Sequence, residues 1–175
     1  MRYILISITI AFNAYAGLTK MNHQYYEPGK SINSPQDKKI VLVGGCFDIL
    51  HFGHMHFLEK AREAGDYLVV ALEPDTRITN YKNRQPAHTQ QERAHNLIAL
   101  KYVDQVILLP QLDGFEDYLE LVKAIQPTVI AITSNDPQKA NKQKQADLIG
   151  AQLIDVVDMI GSFSSSAIYK QKMLE

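Results

Sequence analysis

Cysteine is nearly absent from this sequence, in which Cys46 is the single example among 175 residues. One cysteine cannot form a disulfide within the chain, and it excludes a metal site made of several cysteines. Cys46 can be interpreted as a reactive thiol or as a small residue that fits a tight strand end. We favour the second interpretation, because a free cysteine commonly behaves as a small buried hydrophobic residue.

An excess of charge of either sign is also lacking. The 18 Lys and Arg residues are balanced by 19 Asp and Glu residues, which gives a net charge of -1. No nucleic-acid partner and no bulk membrane partner is therefore expected, and any basic site must be local. A chain of 175 residues is expected to form one domain with its own hydrophobic core.

A hydrophobic run long enough to cross a bilayer is missing too. The apolar run at 3–12 is too short, because a stable span needs about 20 residues. Residues 1–20 nevertheless resemble a secretory signal, since a positive start precedes the run and the Ala-Tyr-Ala sequence at 14–16 resembles a signal-peptidase site. We expect a signal-like or extraneous segment there, a polar and loosely ordered lead-in at 21–38, and the folded domain at 39–175.

The stretch at 39–58, KIVLVGGCFDILHFGHMHFL, joins a strand pattern to a helix pattern. Residues 40–43 are all apolar and end at Gly44-Gly45, which is typical of a buried strand. Beyond His54 the apolar residues recur at helical spacing. A strand, a glycine turn and a helix start offer free backbone N–H groups and a positive dipole end, so we expect a bound phosphate here.

Histidines are concentrated at the start of this helix pattern. His51 and His54 bracket Gly53, which has no Cβ and lets a ligand approach the backbone between two imidazole donors. A transition-metal cluster of His51, His54 and His56 is an alternative. Joint ligation by His54 and His56 is awkward, because residues two apart point away from each other on a helix.

Apolar runs alternate with helical patterns along the rest of the chain. The predicted strands lie at 40–43, 67–72, 103–109, 128–133 and 152–157, and the predicted helices at 54–65, 90–102, 115–125, 137–150 and 164–173. This alternation predicts an α/β fold with a doubly wound, five-stranded parallel sheet in a single domain. Ligands of such a sheet bind beyond the carboxyl ends of its strands, where the histidines follow the first predicted strand.

The motif also resembles a known family. Gly45-Cys46-Phe47-Asp48, followed by His51-Phe52-Gly53-His54, is similar to the G-[ST/C]-F-D-x-x-H-x-G-H signature of the cytidylyltransferase-like nucleotidyltransferases. That family includes glycerol-3-phosphate and ethanolamine-phosphate cytidylyltransferases, heptose-phosphate adenylyltransferases and archaeal-type FAD synthetases. The resemblance covers most of the chain and implies a Rossmann-like fold.

The resemblance implies roles for the motif residues. His51 and His54 become catalytic candidates, and the nucleotide-binding candidates here are Gly45, Cys46, Phe47, Asp48 and Gly53. The implied activity is transfer of a nucleoside monophosphate from ATP or CTP to a phosphorylated small-molecule acceptor, with release of pyrophosphate. A nucleotide-binding module without turnover is the other alternative that we retain.

A second similar segment carries cations. The sequence KNRQP at 82–86, followed by Glu92-Arg93, resembles the family's K-x-x-R-P … E-R segment, in which a lysine reaches phosphate oxygens. Lys82 is therefore the third catalytic candidate, and Arg93 is a nucleotide-binding candidate. We expect Arg77 and Arg84 to be solvent-exposed loop residues.

The third similar segment lies near the end of the chain. Ser164, Ser165 and Ser166 resemble the family's I-S-[ST]-[ST] motif, which implies phosphate binding at the last helix, although one serine could simply cap that helix. Asp136 corresponds to the aspartate of the family's G-x-D segment, without its glycine, and the arginine that many cytidylyltransferases carry before the serines is absent. These departures leave the choice between ATP and CTP open and favour ATP slightly.

The implied chemistry is a direct displacement, in which the acceptor phosphate attacks the α-phosphorus. Mg²⁺ is the expected cofactor, held by phosphate oxygens. Asp48 could orient the turn by bonding backbone amides or could assist the metal, and we favour the first role because one carboxylate seldom defines a metal site. Because nucleoside triphosphates and Mg²⁺ are cytoplasmic supplies, we expect a cytoplasmic protein, with export left open by the signal-like start. The resemblance is also compatible with a homodimer.

Overall fold

A parallel sheet of six strands forms the centre of the described part of the chain. The computed structural model describes residues 22–35 and 37–158. The predicted signal-like segment at 1–20, the serines at 164–166 and the last predicted helix at 164–173 lie outside the described residues. Among the described helices, none combines the length and the apolar character that crossing a bilayer requires.

Strands and helices alternate along the chain after the first strand. The strands are β1 (His23–Tyr25), β2 (Ile40–Gly45), β3 (Tyr67–Leu72), β4 (Gln105–Leu108), β5 (Val129–Thr133) and β6 (Gln152–Val157). The helices are α1 (Phe52–Glu63), α2 (Asp75–Lys82), α3 (Gln90–Ile98), α4 (Phe115–Ile125) and α5 (Lys139–Ile149). The strands are arranged in the order β1-β4-β3-β2-β5-β6.

The central strands are apolar on both faces because helices cover both. The first four residues of β2, Ile-Val-Leu-Val, are all buried, as expected for a parallel strand inside an α/β protein. On one face Leu58 and Ala61 of α1 pack with α3 against the sheet. On the other face Val122 and Ile125 of α4 pack with α5. The predicted doubly wound parallel α/β fold is confirmed.

The order of the strands places a crevice at the end of β2. From β2 the chain moves outward to β3 and β4, and it then returns to form β5 on the other side of β2. The strand order therefore reverses between β2 and β5. In open α/β sheets ligands bind beyond the carboxyl ends of the strands at such a reversal, and the histidine motif follows β2 directly.

The lead-in at 21–38 contains a strand that was not predicted, so it is not a loose linker. Its residues His23–Tyr25 form β1, which pairs in parallel with β4. Tyr26 and Ile32, just beyond β1, are buried in the core. β1 has only three residues and no apolar run, so it is stabilised by pairing and packing that no local pattern reveals.

One further helix was not predicted, and another ends earlier than predicted. α2, which was not predicted, begins after Pro74 and ends at Asn83 in the left-handed conformation, with φ of 49°, a common way to stop a helix. The predicted helix at 90–102 ends as α3 at Ile98. Its start is fixed by a capping box, in which Thr89 and Glu92 satisfy each other's backbone amides.

Candidate active site

The turn between β2 and α1 brings the start of a helix to the crevice. His51, the N-cap residue of α1, has an extended conformation, and its side chain does not cap the helix. The first amides of a helix have no acceptor within the helix itself. Together with the helix dipole, these amides favour an anion at the start of α1.

His51 and His54 lie one above the other at this helix start. Their rings are stacked, with centroids 3.8 Å apart and an interplanar angle of 23°. The ring of Phe47 lies 5.1 Å from that of His54 at a tilt of 55°. The histidine pair is therefore held against the motif's own aromatic residue.

Both histidines are kept neutral at pH 7. Burial lowers the pKa of His54 to about 4, with smaller contributions from His51 and from the charge of Lys82. Burial and the charge of Lys82 also lower the pKa of His51. Lys82 ends α2, and its ammonium is close enough to act on both rings. The three predicted catalytic residues therefore belong to one site, in which one cation accompanies two neutral donors.

Gly45 and Phe47 shape the turn between the strand and the histidines. Phe47 is buried and has a positive φ of 45°, which is uncommon for an aromatic residue. A Cβ at Gly45 would lie 2.9 Å from the ring of Phe47. Glycine is therefore required here because the buried ring of Phe47 folds back over the end of β2.

Cys46 has the properties of a packing residue rather than of a nucleophile. Burial raises the pKa of its thiol, and the negative charge of Glu73 raises it further, against the effect of Lys82. The thiol therefore stays protonated at neutral pH, and a protonated thiol is a poor nucleophile. Its backbone carbonyl accepts a hydrogen bond from Arg93.

Asp48 joins the motif turn to the segment after α2. One oxygen of its buried carboxylate accepts hydrogen bonds from the amides of Ala87, at 2.8 Å, and His88, at 3.4 Å. Its other oxygen lies 2.6 Å from Nη1 of Arg84, whose side chain is only 10% exposed. The prediction that Arg84 lies in a solvated loop is therefore wrong, and Asp48 bonds backbone amides of a distant segment rather than those of its own turn.

The guanidinium of Arg93 bonds to other groups of the protein. It is fully buried and donates to the carbonyls of Cys46, Glu73, at 2.9 Å, and His88, at 3.2 Å, and it pairs with Asp75 at 2.8 Å. This arrangement does not match the predicted contact with a nucleotide. Arg93 instead stabilises the turn, because its three carbonyl acceptors come from three separate segments of the chain.

Asp136 lies just past the end of β5, the strand next to β2. Its carboxylate accepts a hydrogen bond from the amide of Gln138, at 2.7 Å, and pairs with Lys142, at 2.7 Å. The structure thus places Asp136 on the same edge of the sheet as the histidine motif. Ser164, Ser165 and Ser166 are the candidate residues that lie outside the described part of the chain.

A cavity of about 260 Å³ beside the motif was not predicted. Glu73, Arg77, Tyr118 and Lys142 are among its lining residues. It adjoins the turn, because the amide of Glu73 donates to the carbonyl of Gly45 at 3.1 Å. The sequence did contain a signal for this cavity, since Glu73 is the first polar residue after a buried strand. α/β sheets bind ligands beyond such strand ends.

The three histidines do not form a metal-ligand set. His51 and His54 are stacked, and His56 instead stacks on Phe52, with ring centroids 5.9 Å apart. Within residues 22–35 and 37–158, no group of three His, Cys, Asp or Glu side chains could hold a metal ion. The geometry gives no support to the alternative of a histidine-based metal protein.

Comparison with known proteins identifies the family. The model of the cytidylyltransferase-like family matches residues 42–166. FAD synthase of Thermococcus kodakarensis is 47% identical over 109 residues, which are 62% of this chain and 71% of that protein. The bifunctional protein HldE of Campylobacter jejuni is 30% identical over 173 residues, which are 94% of this chain but 35% of HldE. This chain thus spans about a third of that relative.

A solved structure agrees with this result. The lipopolysaccharide core biosynthesis protein from Thermoplasma volcanium is 28% identical, with a TM-score of 0.56 over 69% of this chain and 95% of that protein. The region that the family model matches, 42–166, contains most of β2, the turn and the stacked histidines. The chain belongs to the cytidylyltransferase-like family and is a nucleotidyltransferase.

Proposed function

We propose that this protein transfers AMP from ATP to the phosphate of a small phosphorylated acceptor and releases pyrophosphate. The observation that carries the proposal is the stacked, neutral pair of His51 and His54 beside Lys82, at the reversal of strand order. ATP is favoured over CTP because relatives named FAD synthase and HldE are adenylyltransferases.

The reaction needs no nucleophile from the protein. An oxygen of the acceptor phosphate, already ionised at neutral pH, attacks the α-phosphorus of ATP. The bond from the α-phosphorus to the bridging oxygen of the β-phosphate breaks, and pyrophosphate leaves with that electron pair. Catalysis is then chiefly positioning and stabilisation of the charge that moves toward the leaving group.

The histidine pair suits this charge movement. Each neutral imidazole has one N–H that can donate to a phosphate oxygen, and two neutral rings at 3.8 Å avoid the repulsion of two imidazolium ions. Nearby negative charge favours the protonated form of an imidazole. The hydrogen bonds of His51 and His54 therefore strengthen as charge builds on the leaving pyrophosphate, while Lys82 contributes a fixed positive charge.

Mg²⁺ belongs to this proposal as the partner of the triphosphate. The motif's only carboxylate, Asp48, is already bound to Arg84 and to two backbone amides, so phosphate oxygens would supply most of the ligands. Bound in this way, Mg²⁺ neutralises charge on the triphosphate. We place the reaction in the cytoplasm, which supplies both ATP and Mg²⁺. A homodimer stays a prediction from the family resemblance.

The decisive experiment measures pyrophosphate release from ATP and from CTP, with Mg²⁺, against four acceptors: glycerol 3-phosphate, ethanolamine phosphate, heptose 1-phosphate and FMN. We expect release with ATP and one acceptor. Turnover with CTP alone would contradict the choice of nucleotide. Binding of nucleotide without any turnover would favour the binding-module alternative, and failure to bind either nucleotide would contradict the site itself.

A further inference from the structure

The cavity beside the motif lies within electrostatic range of the proposed reaction centre. The charges of Glu73 and Arg77, which line the cavity, act on the thiol of Cys46, and so does the charge of Lys82. Cys46 belongs to the motif turn, and the amide of Glu73 donates to the neighbouring carbonyl of Gly45. The cavity therefore lies at the same end of the sheet as the histidine turn.

Glu73 lines the cavity and has one acceptor atom without a partner in the described ranges. Its Oε1 accepts a hydrogen bond of 2.8 Å from the hydroxyl of Tyr118, which fixes the carboxylate. Its Oε2 is buried and has no hydrogen-bond partner in the described ranges. A buried polar atom without a partner is costly. Glu73 is thus suited to accept a hydrogen bond from a ligand.

Both signs of charge line the cavity. Two carboxylates, Glu73 and Asp113, line it together with two cations, Arg77 and Lys142. Lys142 is paired with Asp136, and the guanidinium of Arg77 lies over the ring of Tyr81 at 4.0 Å. Because Asp136 already matches the charge of Lys142, carboxylates are in excess around the cavity, and a second phosphate on the ligand would be repelled.

The other lining residues and the volume of the cavity further limit which ligands it can bind. Side-chain amides of Gln138, Asn141 and Gln145 add hydrogen-bonding groups, and Tyr118 adds a ring surface. The volume of about 260 Å³ is below the roughly 300 to 1,000 Å³ of pockets for drug-sized ligands. A single sugar ring or a short polyol chain matches this size and polarity better than a three-ring flavin does.

We propose that this cavity receives the body of the acceptor, and that the carboxylate of Glu73, held by Tyr118, selects a sugar phosphate or polyol phosphate by accepting a hydrogen bond from one of its hydroxyl groups. This inference rests on the proposed function, because it assumes that the acceptor's phosphate lies at the histidine pair. It makes Glu73 a specificity-determining residue of the nucleotidyltransferase reaction.

The test compares wild-type protein with Glu73→Gln, Tyr118→Phe and, as a matched control, Glu116→Gln, which alters an exposed glutamate on α4 outside the cavity lining. A hexose 1-phosphate, glycerol 3-phosphate, ethanolamine phosphate and FMN serve as acceptors. Pyrophosphate release gives kcat and the KM values of acceptor and ATP. Calorimetry measures acceptor binding without nucleotide, and thermal melting verifies that each variant is folded.

We expect Glu73→Gln to raise the KM of the hydroxylated acceptor about tenfold to a hundredfold, the usual worth of a hydrogen bond to a charged group, with the KM of ATP unchanged. Tyr118→Phe, which only loosens Glu73, should act in the same direction by less. Glu116→Gln should match the wild type. An unchanged acceptor KM in folded Glu73→Gln, or a wild-type preference for ethanolamine phosphate, which has no free hydroxyl group, would overturn the inference.

The two proposals fail in different ways. Turnover that does not depend on Glu73 would contradict the acceptor subsite and leave the nucleotidyl transfer standing. Glu73-dependent binding of the hexose phosphate without any pyrophosphate release would support the subsite and contradict the proposed reaction. Absence of both binding and turnover with hydroxylated acceptors would contradict the subsite.

Discussion

At the scale of single residues, the ring contacts and the burial of His54 support its catalytic role. It is stacked on His51, close to Phe47, and is held neutral by burial. We expect His54→Ala to lower kcat for pyrophosphate release about a hundredfold to a thousandfold, or about 3 to 4 kcal/mol, by analogy with the loss of one oxyanion donor. The control is His95→Ala, on the exposed side of α3, which should keep full activity. Undiminished turnover of folded His54→Ala would contradict the assignment.

The pKa of His54 also makes stability depend on pH. Its pKa is about 4 in the folded protein, whereas the ordinary value for an exposed histidine is 6.5. As pH falls from 6.5 toward 4, the unfolded state takes up a proton at this position and the folded state does not. The stability present above pH 6.5 is therefore lost over this interval, by about 3 kcal/mol. Urea unfolding of the wild type and of His54→Ala between pH 4 and 7 should show a steeper loss in the wild type, and equal slopes would contradict this account.

Sequence reasoning succeeded where a residue's role follows from its neighbours in the chain. The spacing of His51, Gly53 and His54 after a strand was sufficient to expect two imidazoles at a helix start. The roles of Arg84, Arg93 and Glu73 depend on partners 18 to 47 positions away in the chain. A cation in a polar segment has the same local pattern whether it is solvated or buried, so these partners could not be predicted.

At the scale of elements, the ion pair of Asp48 and Arg84 connects the turn after β2 to the segment that follows α2, which ends with Lys82. We expect Asp48→Ala to lower the free energy of unfolding by about 3 to 5 kcal/mol, because it leaves a charged guanidinium largely buried without its carboxylate. Urea unfolding measures this change. Removing Arg84 as well should recover part of the loss.

A surface ion pair provides the matched control for the prediction about Asp48→Ala. Asp155 pairs with Lys139 between β6 and α5, and both side chains are well exposed, at 38% and 47%. We expect Asp155→Ala to change the free energy of unfolding by less than about 1 kcal/mol. If Asp48→Ala were equally mild, the pair with Arg84 would not hold the two segments together.

At the scale of the whole molecule, alternating apolar runs and helical patterns were sufficient to predict the doubly wound sheet and five of its six strands. Long buried strands such as β2 and β3 carry their own signal, because both of their faces need apolar residues. β1 carries no such signal, since it is short and takes its order from its pairing with β4. The sheet therefore extends one strand beyond the predicted domain boundary.

Two adjacent tyrosines test whether this lead-in belongs to the core. Tyr26 is 4% exposed, whereas Tyr25 is 55% exposed. We expect Tyr26→Ala to lower the free energy of unfolding by about 3 to 5 kcal/mol, as for other large buried aromatic residues, and Tyr25→Ala to lower it much less. Thermal or urea unfolding makes the comparison, and equal effects would contradict a core role for the lead-in.

The pairing of β1 with β4 has a further consequence for handling the protein. A fragment that starts at Lys39 would leave the backbone of β4, in which all four residues are buried, as a bare sheet edge. Exposed hydrophobic edges pair with other chains and lead to aggregation. The three residues of β1 thus protect the sheet edge from self-association. A fragment that is expressed for biochemical work should retain them.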